Sequence, residues 1–184
     1  MNLAVYLAMV VAIAAVIAAA MEPWARILHG GVWHSALWSI HRSHHEPRHG
    51  RFERNDLLSA IHAPVAMVLI IVGARLPRAL LSALCLGVGA GMTAFGLAYM
   101  LVHDGLVHGR LPVARLMRGR WLREVRRAHV VHHTLGGVPY GLFRGPAELS
   151  HARSRDPRLP RARSTGASPG APPSEPSPAD RARA

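Results

Sequence analysis

Residues 79–108 read ALLSALCLGVGAGMTAFGLAYMLVHDGLVH. Positions 79–102 carry no charge, and the stretch closes on two histidines, His103 and His108. An apolar run of this length is enough to cross a hydrocarbon core of roughly 30 Å as a helix. It therefore predicts a membrane-spanning helix that delivers imidazoles to one membrane surface.

Two more stretches share its character. Residues 1–21 are uncharged and also long enough to span. Their end, Ala18 to Ala20, resembles a small-residue cleavage site, but no arginine or lysine precedes it, so a retained anchor helix is expected. Residues 57–73 are uncharged as well. Helical at this length they reach only about 26 Å, and Pro64 is placed to kink them. Residues 74–78 are so short a link that the second and third stretches form a helical hairpin.

Ten of the thirteen histidines fall into four clusters: His29 and His34; His41, His44 and His45; His103 and His108; His129, His132 and His133. Written as patterns these are HxxxxH, HxxHH, HxxxxH and HxxHH. Imidazole is the commonest metal ligand near neutral pH, and two matched sets of five point to a two-metal site. On a helix His41, His44 and His45 share one face, as do His129, His132 and His133. Each HxxxxH pair is less tidy, since five positions set the rings about 140° apart on a regular α-helix. Either each ring serves a different metal or the helix carries a π-bulge, which Gly30 and Gly31 would permit. The lone Cys85 excludes disulfides and sulfur-based zinc sites. The ExxH spacing of the carboxylate-rich di-iron bundles occurs at Glu46–His49 and Glu148–His151, but neither histidine belongs to the four clusters. Iron, copper, zinc and nickel all accept imidazole, so ligand type leaves the metal open.

Charge sets the orientation. All twenty-two basic residues are arginine, against ten acidic ones, for a net charge of +12. With the apolar runs in lipid, this charge suits phospholipid and topology rather than nucleic acid. Residues 22–56 hold five arginines and residues 103–184 fifteen, whereas the hairpin turn has only Arg75 and Arg78. The positive-inside tendency puts both rich segments, and with them all four histidine clusters and the C-terminus, on the cytoplasmic side. From about residue 151 the chain becomes rich in Pro, Arg, Ser and Ala, with Leu159 its only large aliphatic residue. Such a stretch cannot offset its ordering entropy. The expected organisation is thus an all-α integral membrane protein. A membrane domain over 1–150 has three transmembrane helices (about 1–21, 57–73 and 79–102) and a histidine-rich di-metal site on its cytoplasmic side. A disordered Arg/Pro-rich tail covers 151–184.

The run His41-Arg-Ser-His-His-Glu-Pro-Arg48, followed by Gly50, Phe52, Glu53, Asn55 and Asp56, resembles the signature of bacterial β-carotene hydroxylases in the membrane fatty-acid hydroxylase superfamily. Leu101 to His108 and Ala128 to His133 are similar to its other signatures, and Met21-Glu-Pro-Trp24 to the approach to its first cluster. The resemblance covers about residues 20–147. It implies a non-haem di-iron monooxygenase of a bacterial inner membrane, with the ten clustered histidines as ligands to two iron ions. Dioxygen is then the co-substrate, reduced ferredoxin and its reductase supply electrons, and a carotenoid in the bilayer receives a hydroxyl on C3 of its β-ionone ring. Neutral ligands leave a metal pair its positive charge, which suits attack on an unactivated C–H bond. The segment Gly136 to Phe143 resembles the family's closing segment but is shorter, which leaves open how the site is closed.

Other residues carry expectations of their own. Asp104 is placed to accept from a neighbouring imidazole or to cap a helix. Asn55 and Asp56 are candidates for the same supporting role, although they also make an ordinary N-cap for a helix starting near Leu57, the preferred reading. His62 is expected to be buried and hydrogen-bonded, His49 and His151 solvated. Trp24, Trp33 and Trp38 read as interfacial anchors, and Trp121 as an anchor of the last helix. Gly87, Gly89, Gly91 and Gly96 allow close approach of helices or of a polyene. Two rivals share parts of the pattern. A hydroxylase or desaturase of another membrane lipid would keep the ligand shell. A bis-histidine haem cytochrome would leave the adjacent pairs His44-His45 and His132-His133 unexplained.

Overall fold

The computed structural model describes residues 1–47, 52–113 and 118–159. The expectations for His49 and for most of the tail lie outside these residues. The described chain is all-helical: α1 (Leu3–Leu28), α2 (Trp38–His45), α3 (Asp56–Ala60), α4 (His62–Arg75), α5 (Leu80–Tyr99), α6 (Arg120–Leu135) and α7 (Gly145–Arg155). Two π-helical segments, His29–Trp33 and Met100–Val107, continue α1 and α5 without a break.

Three helical units are long and apolar enough to cross a membrane: Leu3–Trp33, Asp56–Arg75 and Leu80–Val107. They agree with the three spans expected from hydropathy, but the first and third run several residues further and carry histidines on the added turns. Side chains such as Val11 and Val16 stay about two-thirds exposed (67% and 66%), which suits a lipid surround rather than a protein core. The second span breaks at Ile61, between α3 and α4. Pro64 explains the break: it has no N–H to offer the Ala60 carbonyl, yet within the first turn of α4 its missing donor leaves nothing unpaired.

α5 sits between α1 and α4 and touches both through glycines. A Cβ on Gly91 would lie 2.6 Å from the Ala14 carbonyl oxygen, and one on Gly87 2.6 Å from Ile13 Cβ. On the other side, Gly89 would meet the Ala66 carbonyl oxygen at 2.8 Å. Contacts of residues 87 and 91 with 13, 14 and 17 show α1 and α5 parallel, whereas Gly89 against Ala66 and Ile70 and Gly73 against Leu86 run antiparallel. Three of the four glycines singled out in α5 thus serve helix packing. Gly96, with nothing within 4 Å of a Cβ, faces open space instead. Far from the histidines, Ser82 Oγ donates to the Gly73 carbonyl (2.8 Å) and so accepts from Tyr6 Oη (2.6 Å), tying the three spans together.

This parallel and antiparallel arrangement gathers the end of α1, the start of α3 and the end of α5 at one end of the bundle. α2, α6 and α7 cover that end. α7 carries buried Leu149 and runs through residue 155, so the change in composition at residue 151 does not mark the end of ordered structure.

Candidate metal centre

Both HxxxxH pairs stand on π-helical turns. The His34 amide donates to the His29 carbonyl (3.0 Å) and the His108 amide to the His103 carbonyl (3.0 Å), five residues back in each case. Such a bond stacks residues five apart, which a regular α-helix would not. Of the two explanations open from spacing, the structure takes the π-turn: each pair stays within one group.

Nitrogens of His29, His34, His41, His45 and His132 all lie within 4.8 Å of one another, and so do those of His44, His103, His108 and His129. His133 borders the second group, its Nε2 3.0 Å from His129 Nε2, while its ring stacks on His45 at 4.4 Å. All ten predicted candidates are therefore brought together. Each HxxHH motif is split: His41 and His45 stay with the first group and His44 crosses to the second, while His129 and His133 stay with the second and His132 crosses to the first.

What stands behind the rings sets their tautomers. His29 Nδ1 donates to the Tyr140 carbonyl (2.8 Å), His132 Nδ1 to the Gly137 carbonyl (2.6 Å) and His41 Nδ1 to Asn55 Oδ1 (2.7 Å). In the other group His44 Nδ1 faces Glu53 Oε2 (3.1 Å) and His103 Nδ1 faces Asp104 Oδ1 (2.9 Å). These oxygens only accept, so each Nδ1 carries the proton and each Nε2 presents a bare lone pair. Yet the Nε2 atoms of His29 and His41 are 3.0 Å apart, and those of His44 and His103 3.1 Å apart. Facing lone pairs at that distance repel unless a cation lies between them. Adjacent ligands about 3.0 Å apart are also what a first-row ion with metal–nitrogen bonds of about 2.1 Å requires in octahedral geometry. The residues present fit two cations. Rings with centroids 4.4 Å (His44 and His108) to 4.8 Å (His29 and His41) apart leave no slot for a porphyrin.

Burial favours the neutral form of several of these rings. It lowers His34, His41 and His132 to about 4 and His45 and His108 to about 3, with neighbouring histidines adding to the effect in each case. His44 and His129 are driven down in the same way. Neutral imidazole is the form that binds metal.

The supporting residues depart in part from expectation. Asn55 sits at the N-cap of α3 but makes no capping bond; its buried side chain takes the His41 proton instead. Asp104 does orient an imidazole. Asp56 bonds to no histidine among the described residues: it accepts from the Glu53 amide (2.9 Å) and from Arg110 (2.7 Å). Arg110 also reaches Glu53 (2.8 Å) and, at 3.6 Å, Asp104. Glu53 and Arg110 were not singled out from sequence, although Glu53 stands in the quoted signature and Arg110 two places after His108.

The segment Gly136 to Phe143, after the last cluster, closes the first group. Gly136, at φ +70°, ends α6 in the left-handed conformation and turns the chain back. The Tyr140 ring then packs on Gly30, where a Cβ would lie 2.8 Å from it. Glu148 accepts from the Tyr140 and Gly141 amides (3.1 and 3.3 Å) and pairs with Arg26, while buried Glu22 accepts from the Arg144 amide (2.9 Å). The rings of Trp33 and Trp38, expected as interfacial anchors, lie 5.7 and 5.2 Å from those of His29 and His34.

A family model for fatty acid hydroxylases matches residues 14–146, a span that includes all ten clustered histidines. The chain belongs to the fatty acid hydroxylase family. This family member is 50% identical over 134 residues to β-carotene 3-hydroxylase 1, chloroplastic, of Arabidopsis thaliana, covering 72% of the chain and 43% of that protein. It is 50% identical to β-carotene hydroxylase 2, chloroplastic, of Capsicum annuum (72% and 43%), and 40% identical over 130 residues to the β-carotene hydroxylase of Pantoea ananas (68% and 71%). The chain thus spans less than half the length of the chloroplastic relatives. No solved structure matches it.

Beside its histidines this hydroxylase-family chain has an apolar cavity of about 1040 Å³ between α1, α3, α4 and α5. Ile70, Met67 and Met92 line its deeper part, and Gly96 opens onto it. Trp33, Tyr99 and Asp104 also line it, and each touches a histidine of the metal centre. Half-buried His62 lies in its wall and accepts from Trp24 Nε1 (3.1 Å), so it is hydrogen-bonded as expected but stands apart from the metal groups.

Proposed function

We propose that the chain is a β-carotene 3-hydroxylase, converting β-carotene to β-cryptoxanthin and then to zeaxanthin. The observation that carries this reading is an apolar cavity inside the membrane span whose wall is shared with residues touching two convergent histidine groups. The names of the relatives support the substrate.

The residues divide the work. Apolar side chains of α1, α4 and α5 hold a hydrocarbon ring by shape and exclude water, while Trp33 and Tyr99 limit how far the ring advances toward the histidines. The ten histidines would hold two iron ions, with Tyr140, Gly137, Asn55, Glu53 and Asp104 fixing five of the rings. When bound, the iron pair supplies activation of dioxygen, one oxygen atom entering a C–H bond and the other leaving as water with two electrons and two protons. Reduced ferredoxin is the donor in this reading. Arg120, Arg123, Arg126 and Arg127, exposed on α6, suit an acidic electron carrier. In this reading the protein sits in a bacterial inner membrane, and the arginine distribution supports a cytoplasmic site and C-terminus.

Expression in a bacterial host that accumulates β-carotene, followed by pigment chromatography, tests the assignment. Mono- and dihydroxylated carotenoids are the expected products. Unchanged β-carotene with the protein in the membrane and carrying iron would overturn the substrate and turn attention to another lipid.

A further inference from the structure

The two histidine groups differ in what stands behind them. In the group of His29, His34, His41, His45 and His132, the Nδ1 protons of His29, His132 and His41 go to neutral oxygens: the Tyr140 and Gly137 carbonyls and the Asn55 side chain. In the group of His44, His103, His108 and His129, those of His44 and His103 go to the carboxylates of Glu53 and Asp104. Asp56 stands beside these, held with Glu53 by Arg110. Three carboxylates against one guanidinium leave a net charge of −2 beside the second group. Among the described residues no histidine of the first group bonds to a carboxylate.

Resting on the two-metal reading above, we propose that the two metal positions are inequivalent, and that the one held by His44, His103, His108 and His129, with His133, binds a divalent cation more tightly and fills first. A carboxylate behind an imidazole draws its proton and makes the opposite nitrogen a stronger donor; a neutral carbonyl does so less. The net negative charge adds attraction for a cation in a partly buried setting. Arg110 tempers the effect by sharing Glu53 Oε2 with His44, but it also holds that carboxylate in place. Ligand number does not oppose the ranking, because His133 at 3.0 Å from His129 brings the second group to five, the number in the first.

Titration of the metal-free full-length protein in detergent with Co²⁺ alone tests this, following d–d absorbance and chelator competition. Two equivalents separated by about 10–100-fold in affinity are expected. Glu53→Gln and Asp104→Asn should each weaken the tighter equivalent about 10–100-fold and leave the other in place, whereas Asn55→Ala should weaken the looser one. Far-UV circular dichroism identifies any variant that fails to fold, and the wild-type titration stands without them. Two equivalents of equal affinity, or carboxamide variants that weaken the looser one, would overturn the proposal and leave the two-metal reading intact. Fewer than two equivalents bound by the wild type would overturn both.

Discussion

His44 and His132 are the residues on which the two halves of the site exchange. Each leaves its own HxxHH partners and joins the opposite group, with its Nδ1 held by Glu53 or by the Gly137 carbonyl. His44→Ala or His132→Ala is expected to abolish hydroxylation while leaving the amount of membrane-inserted protein unchanged, as read by pigment analysis beside a membrane blot. The buried rings also set a pH dependence. An unfolded histidine titrates near 6.5, whereas folded His34, His41 and His132 titrate at about 4 and His45 and His108 at about 3. Between those values the unfolded chain binds more protons, so stability rises with pH. The melting temperature of the metal-free protein should hold level from pH 7 to 8 and fall as pH drops from about 6.5 toward 4. A rise on acidification would mean that these rings gain partners as cations.

At the scale of elements, the glycines of α5 separate packing from function. Gly91 faces the backbone of α1, which cannot step aside, so Gly91→Leu is expected to lower stability by about 1–3 kcal/mol in a detergent unfolding titration. Gly96 meets nothing within 4 Å and opens on the cavity. Gly96→Leu should therefore leave the unfolding midpoint near wild type yet reduce turnover of β-carotene by filling space meant for substrate. Hydropathy located all three spans, and the five-residue spacing of the HxxxxH pairs pointed to a π-turn as one of two solutions. The preferred N-cap role of Asn55 failed because a cap is a local signal. A buried imidazole 14 residues away competed for the same oxygen and won.

For the whole molecule, the closing segment depends on elements far apart in sequence. Glu22 on α1 and Glu148 on α7 hold the amides around Tyr140, whose carbonyl orients His29 across 111 residues. Removing residues 160–184 is expected to leave carotene conversion unchanged, whereas truncation from Gly145 should abolish it by releasing Tyr140. Pigment ratios from the two truncated proteins decide the point, and equal activity in both would show that α7 is dispensable.

The sequence by itself determined the membrane character, the three spans, the gathering of ten histidines on one side and the pairing of motifs that implies two metals. These follow from hydropathy, charge and helical period, which act over a few residues at a time. Only the tertiary structure decided which histidine joins which group, that neutral oxygens back one group and carboxylates the other, and that an apolar cavity meets the site. The carbonyls of Gly137 and Tyr140 leave no mark in the amino-acid code, since every residue has one. The exchange of His44 and His132 exists only once helices remote in sequence are packed together.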